Sequence, residues 1–301
     1  MWECVDFYPV SLTNDSALDM AAYGLGIKHV IKESWEAHGM DWRITWGYVG
    51  ESDSAEQDLS KGWATIYNVR RTVVLDRKTE THLLHWPVEE VESLRYNARE
   101  FKEIELEPGS IVPLDIGTTT QSDTSRKESW IFATFEVDQD VLEAASETND
   151  KYGCTTSSGA TERGSLGPFG VVVLANGTLS ELTPVYFYIT KNASGGVSTH
   201  FCTDKLRSSL DYDGKFLLFL REWDLNPYDD EETYKKLLVD HSIVEGFAQG
   251  GRTVIASRVY PTKAIYENAK IFLFNNATRT RVKATVKIWQ MAPAQIRPYP
   301  F

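Results

Sequence analysis

The chain has 301 residues, of which 42% are hydrophobic and 25% charged, and its formal net charge is −12. This composition excludes a disordered chain, a collagen and a coiled coil, and the acidic balance argues against a nucleic-acid partner, since phosphate attraction needs a basic surface. The longest apolar runs, such as 169–175 and 216–220, fall far short of the ~20 residues of a membrane span, and at roughly 100–200 residues per domain the length suggests two domains.

The chain opens with Trp2-Glu3-Cys4-Val5-Asp6-Phe7-Tyr8-Pro9. Two carboxylates among aromatic groups suit a glycosidase pocket, because a carboxyl held against apolar surface loses hydration and becomes able to donate a proton near neutral pH. On spacing alone the more ordinary reading is a solvated acidic pair near a terminus. In a regular strand residues 3 and 6 point to opposite faces, so Asp6 is expected to be structural unless the strand bulges. The opening residues carry no basic stretch followed by an apolar one, so no targeting segment is read there.

Short β-branched or aromatic runs bounded by turn residues predict strands at 44–49, 63–69, 72–76 and 82–86. A helix is expected next, with Pro87 at its first position and Val88, Val91 and Leu94 on one face. Further strands are predicted at 169–175, 184–190, 237–244, 253–260, 271–275 and 282–289, a spacing that points to an all-β sandwich or barrel. The boundary between the two parts is placed near 95–106. Three stretches break the pattern: 41–44, 122–129 and 215–236. His241 falls inside the apolar run 237–244 and reads as a satisfied core histidine, while Asp240 and Glu245 read as solvent-facing strand and turn residues.

Glycosylation sequons occur at Asn14, Asn176, Asn192 and Asn276. The three cysteines, Cys4, Cys154 and Cys202, fit either one disulfide with one free thiol or three reduced thiols. Cys4 reads as a buried thiol, and the spacings match no zinc pattern.

Several motifs together resemble the plant members of glycoside hydrolase family 32, the invertases and fructosyltransferases. They are Trp2–Pro9, 46–53, 62–64, 84–95, 164–170, 239–245 and 257–261. The resemblance implies an all-β fold: the later part of a five-bladed propeller over residues 1–100, carrying the acid/base strand, followed by a C-terminal β-sandwich over 101–301. It implies Glu3 as the acid/base, sucrose and short fructans as partners, no cofactor or metal, a vacuolar location, and a disulfide between Cys154 and Cys202. The stretch 32–42 and the run Thr65-Ile66-Tyr67-Asn68-Val69 resemble sucrose:sucrose 1-fructosyltransferases more than invertases. Where invertases commonly set an acidic and then a basic residue, this chain has Glu36 and Gly39. Tyr67 and Asn68 are candidates for an acceptor site, with Trp2, Asp6 and Glu36 as further substrate-binding candidates. Trp46 and Trp63 are large enough to stack on a sugar and otherwise read as propeller core.

The family mechanism is a double displacement with retention. Its nucleophile and transition-state stabiliser belong to Asn-Asp-Pro-Asn and Arg-Asp-Pro motifs, and neither occurs among these residues. The expected activity is therefore fructosyl transfer from sucrose to sucrose, giving 1-kestose and glucose, in an incomplete chain. The alternatives are a vacuolar acid invertase and a non-catalytic carbohydrate-binding remnant. Relative to the family, the Trp42–Arg43 junction skips roughly forty residues, about one blade unit.

Overall fold

A computed structural model describes residues 2–11, 27–35, 48–49, 53–80, 82–116, 128–144, 152–154, 156–192, 195–210 and 233–292, the first two segments by backbone alone. The first half holds β1 (Trp2–Ser11), β2 (Ile27–Trp35), β3 (Tyr48–Val49), β4 (Ile66–Tyr67), β5 (Arg71–Leu75) and β6 (Leu83–Pro87). These form three two-stranded antiparallel ladders, β1–β2, β3–β4 and β5–β6. Next come β7 (Arg95–Leu106), β8 (Ser110–Leu114), β9 (Ser129–Val137), β10 (Phe169–Ala175), β11 (Thr183–Lys191) and β12 (Val197–Thr203). The last five strands are β13 (Thr233–Asp240), β14 (Ile243–Ala248), β15 (Thr253–Arg258), β16 (Lys270–Asn275) and β17 (Val282–Met291).

These eleven strands make two sheets, a five-stranded one ordered β12-β11-β10-β16-β8 and a six-stranded one ordered β15-β14-β13-β9-β17-β7. All their pairings are antiparallel. The core lies between them, with Phe169, Val171, Phe187 and Phe201 of one sheet against Ile131, Phe135, Leu237 and Val286 of the other. Alternation along β17 has the half-buried rhythm of a sheet with one wet face. β10 is buried along its whole length. Phe169, Val171 and Val173 enter the central core, while Val172 and Ala175 join a second cluster with Tyr152, Tyr186 and Tyr188 on the outer face. A register shift between Val172 and Ala175, with Leu174 at φ 46°, turns Leu174 back into the central core.

Tyr152, Cys154 and Ala160 from the segment before β10 join the outer cluster. Tyr152 stacks on Tyr188 with ring centroids 3.6 Å apart, and a disulfide joins Cys154 to Cys202 across 48 residues. By chain entropy a loop of that length confers about 4 kcal/mol. Cys154→Ser with Cys202→Ser is therefore expected to lower the unfolding free energy obtained from urea denaturation by a comparable amount, without changing the far-UV spectrum. A double variant as stable as the parent would show that the bridge constrains nothing.

Three expectations need correction. The helix after Pro87 is a 3-10 helix, Glu89–Leu94, and Pro87 is the last residue of β6. Val88, Val91 and Leu94 recur every three residues, which is the 3-10 period and not the α period. The strand 237–244 is broken by a two-residue turn: Asp240 pairs with Ile243, and His241 sits in the turn at φ 43° with its side chain 43% exposed. Histidine is among the residues that tolerate the left-handed region, which lets it occupy a tight hairpin turn inside an otherwise apolar run. Helix α1 (Ala55–Lys61) was not expected, although Ser54 and Gln57 form a capping box and Gly62 closes the helix at φ 81°. A second short helix, α2 (Gln139–Ala144), follows β9. The anomalous stretch 41–44, and all but the ends of 122–129 and 215–236, lie outside the described residues.

Candidate functional site

β1 carries Glu3 and Asp6, and β2 faces it. Trp2 pairs with Trp35, Glu3 with Ser34, and Asp6 with Lys32, so β1 spends three residues where β2 spends two. That bulge removes the half-period that separates positions 3 and 6 in a regular strand. Both acidic positions therefore share the pleat phase of Ser34 and Lys32. The register thus supplies the bulge under which Asp6 is not expected to be merely structural.

β1 comes alongside β5. The segment leading into β5 holds the other candidates. Trp63 is 43% exposed and not core, correcting that reading; the Arg258 guanidinium lies 5.1 Å from its ring centroid. Thr65 has φ 65°, a left-handed conformation rare for a β-branched residue. Tyr67 is 62% exposed, while Asn68 is buried. Glu36, Trp46, Asn14 and the side chains of Trp2, Glu3, Cys4 and Asp6 lie outside the described residues.

The sandwich reaches this segment through buried charge. Glu245 on β14 is almost fully buried. Its Oε1 accepts from the Val69 N–H at 2.6 Å, and its Oε2 from an Arg71 guanidinium nitrogen at 2.7 Å. Glu245 therefore corrects the solvent-facing reading. Burial pushes its carboxyl above the usual range, with Arg71 and the Val69 N–H pulling the other way. An acid raised in the fold contributes stability present below its unfolded value and lost as pH rises through its folded value.

Two further pairs cross the same boundary. Asp76, in the β5–β6 turn, accepts from Arg252 Nε at 2.8 Å, from the Lys78 N–H and from the Thr79 hydroxyl. Arg258 lies 3.7 Å from Asp53. Gly251 permits the close approach. It sits at φ 89°, and a Cβ there would lie 2.9 Å from the His85 carbonyl oxygen and the Trp86 ring. Lys236 Nζ lies 4.5 Å from the Trp86 ring centroid. The signal for these residues is present in the sequence. An acidic residue inside the apolar run Ile243-Val244-Glu245-Gly246-Phe247-Ala248 needs a buried cationic partner.

Among the described residues, ligand atoms of Glu128, Asp240 and His241 come within 4.8 Å of one another. His241 Nδ1 is 2.9 Å from Asp240 Oδ1, so the imidazole is already engaged. Of the sequons, Asn192 is exposed. Asn176 bonds within its own turn to Thr178 and Ser180, and Asn276 donates to the Ala160 carbonyl oxygen at 3.0 Å. Among the described residues no helix is long and apolar enough to cross a membrane.

Residues 90–290 match the profile of "Glycosyl hydrolases family 32 C terminal". The chain is 44% identical over 351 aligned positions to a vacuolar acid β-fructofuranosidase 2 of a Rosa hybrid cultivar, covering 99% of this chain and 52% of the relative. It thus spans about half the length of the curated relatives it matches. With 351 positions aligned to a chain of 301 residues, at least 50 residues of that relative stand opposite gaps. Among solved structures, fructan 1-exohydrolase IIa from Cichorium intybus superposes with a TM-score of 0.83 at 29% identity, covering 98% of this chain and 62% of the other. A variant of that enzyme in complex with 1-kestose gives 0.82 at 30% identity, with the same coverage. The architecture is that of these relatives, late propeller blades followed by a β-sandwich, and the chain belongs to glycoside hydrolase family 32.

Proposed function

We propose that these residues form the later half of a β-fructofuranosidase that hydrolyses sucrose by double displacement. The observation that carries this reading is similarity along the whole chain to relatives named acid β-fructofuranosidase. In this mechanism a carboxylate outside these residues attacks C2 of the fructosyl unit. Glu3 gives its proton to the glucosyl oxygen as the C2–O bond breaks. Glu3 then takes a proton from the incoming water, which displaces the carboxylate and restores both groups. Residues 1–100 are proposed to supply the acid/base strand and 101–301 the sandwich, the first strand of whose six-stranded sheet is β7, starting at Arg95. Trp2, Asp6, Glu36, Trp46, Trp63, Tyr67 and Asn68 are proposed to line the sugar site. The vacuole is the proposed location, after relatives so named, and Asn192, exposed and with its Oδ1 accepting from the Gly196 N–H at 2.7 Å, is the proposed glycan acceptor.

A second reading, transfer of the fructosyl group to another sucrose, is favoured by Tyr67-Asn68 and by Gly39 where invertases commonly have a basic residue. The two are separated by products. The chain is joined to the upstream half of the Rosa relative and supplied with concentrated sucrose. Hydrolysis gives glucose and fructose in equal amounts, whereas transfer gives excess glucose together with 1-kestose. Neither product would refute both readings and leave the binding remnant.

A further inference from the structure

We infer that Glu245, on the sandwich, is a positioning residue for the sugar-facing segment 65–71, so that the second half of the chain is part of the scaffold of the site carried by the first. This rests on the proposal that Tyr67 and Asn68 face sugar.

The strand pairing of the segment is short. β4 is a two-residue strand whose ladder to β3 consists of Tyr48 opposite Tyr67 and Val49 opposite Ile66. Two-stranded ladders of that length do not order themselves in water. Thr65 enters the segment in a left-handed conformation, a local cost that persists only where the surroundings over-determine it. Tyr67 is 62% exposed and gains little from burial.

The fixed point lies two residues further on. Glu245, 176 residues away in sequence, takes the Val69 N–H at 2.6 Å and Arg71 at 2.7 Å with its two oxygens. One carboxylate therefore pins alternate residues, and charge-assisted bonds of this kind are roughly twice as strong as neutral ones. Arg71 is steadied in turn by Phe247, whose ring centroid lies 5.2 Å from the guanidinium carbon. Beyond Arg71 the β5–β6 ladder takes over, with Arg71 opposite Pro87. Glu245 thus sets where regular structure begins, and through it the positions of Asn68 and Tyr67.

The 301-residue chain itself is tested, as Glu245→Gln and Glu245→Asp. Glutamine keeps the shape and removes the charge; aspartate keeps the charge and falls short of the Val69 N–H. Two quantities are read. Hydrogen exchange, followed by mass spectrometry, compares a peptide covering 65–71 with one covering β10 and β11. Tryptophan fluorescence titrated with sucrose and 1-kestose gives sugar affinity. Each variant is expected to exchange at least tenfold faster in 65–71, with β10–β11 unchanged, and to bind sugar at least fivefold more weakly. Unchanged exchange in 65–71, faster exchange throughout, or parental sugar affinity would overturn the positioning role. If the parent chain gives no sugar response, the sugar-facing reading of Tyr67 and Asn68 fails instead, and exchange alone still decides whether Glu245 holds the segment. If glutamine prevents folding, aspartate carries both readings.

Discussion

Replacement of Glu181 by alanine is expected to destabilise the sandwich by about 3 kcal/mol or more, since each buried donor left without an acceptor costs about 1–3 kcal/mol. Glu181 lies in the turn between β10 and β11 and is fully buried. Its Oε1 accepts from the Leu210 N–H at 3.0 Å, the Thr262 N–H at 2.8 Å and the Thr262 hydroxyl at 3.0 Å. Its Oε2 accepts from the Lys263 and Ala264 N–H groups, both at 2.6 Å. One side chain thus joins three loops, and alanine would leave four backbone N–H groups without their acceptor, the Ala264 N–H fully buried among them. Glutamine should cost about 2 kcal/mol or more, because its amide NH2 must face donors. Burial by itself raises the Glu181 carboxyl, but the backbone bonds outweigh it and hold it below its ordinary value. A depressed acid contributes stability that is fully present above the unfolded value, near 4.5, and is lost as pH falls through the folded value. Urea denaturation of the parent should therefore show stability falling as pH drops below that value, and Glu181→Gln should flatten the slope. A glutamine variant with the parental slope would assign the acid sensitivity elsewhere.

The second large effect concerns Asp76 and Arg252, which join the β5–β6 turn to the sandwich with side chains 3% and 8% exposed. Asp76 is also held below its ordinary value: burial raises it, and Arg252, the Lys78 N–H and the Thr79 hydroxyl more than offset the burial. Removing either partner leaves the other charge buried. Asp76→Ala and Arg252→Ala are each expected to cost about 3–5 kcal/mol. The double variant should cost less than the two singles combined, since it leaves no orphaned charge. A coupling of about 2 kcal/mol in the double-mutant cycle is expected. Additive losses would mean that the two side chains contribute separately and that the boundary is held by something else.

Much of the sandwich is legible in the residues themselves. The run Phe169–Ala175 has the continuous apolar character of a strand covered on both faces, and β10 occupies those same residues. The alternation from Val282 onward marks β17 equally well, although the strand continues to Met291. Where reading fails, a local pattern has been overridden by partners distant in sequence. Glu245 looks like a solvent-facing residue until Arg71 is brought to it. Trp63 looks like core, yet a guanidinium rather than an apolar wall lies over it. The hairpin at Asp240–Ile243 carries neither glycine nor asparagine, and only Asp240 and Ser242 mark it as a turn inside an otherwise apolar run. The bulge between Glu3 and Asp6 is a matter of register with β2, which no property of β1 alone determines.

The catalytic proposal rests on Glu3 as the proton donor to the leaving group. The most direct test is the leaving-group dependence of Glu3→Gln, in the chain joined to the upstream half of the Rosa relative. With sucrose, whose glucosyl oxygen leaves poorly unless protonated, kcat/KM should fall by about a hundredfold or more, the scale of general-acid catalysis. With a fructoside bearing an activated leaving group, which departs without a proton, the loss should be far smaller. Equal losses for the two substrates would contradict the assignment of Glu3 as the acid.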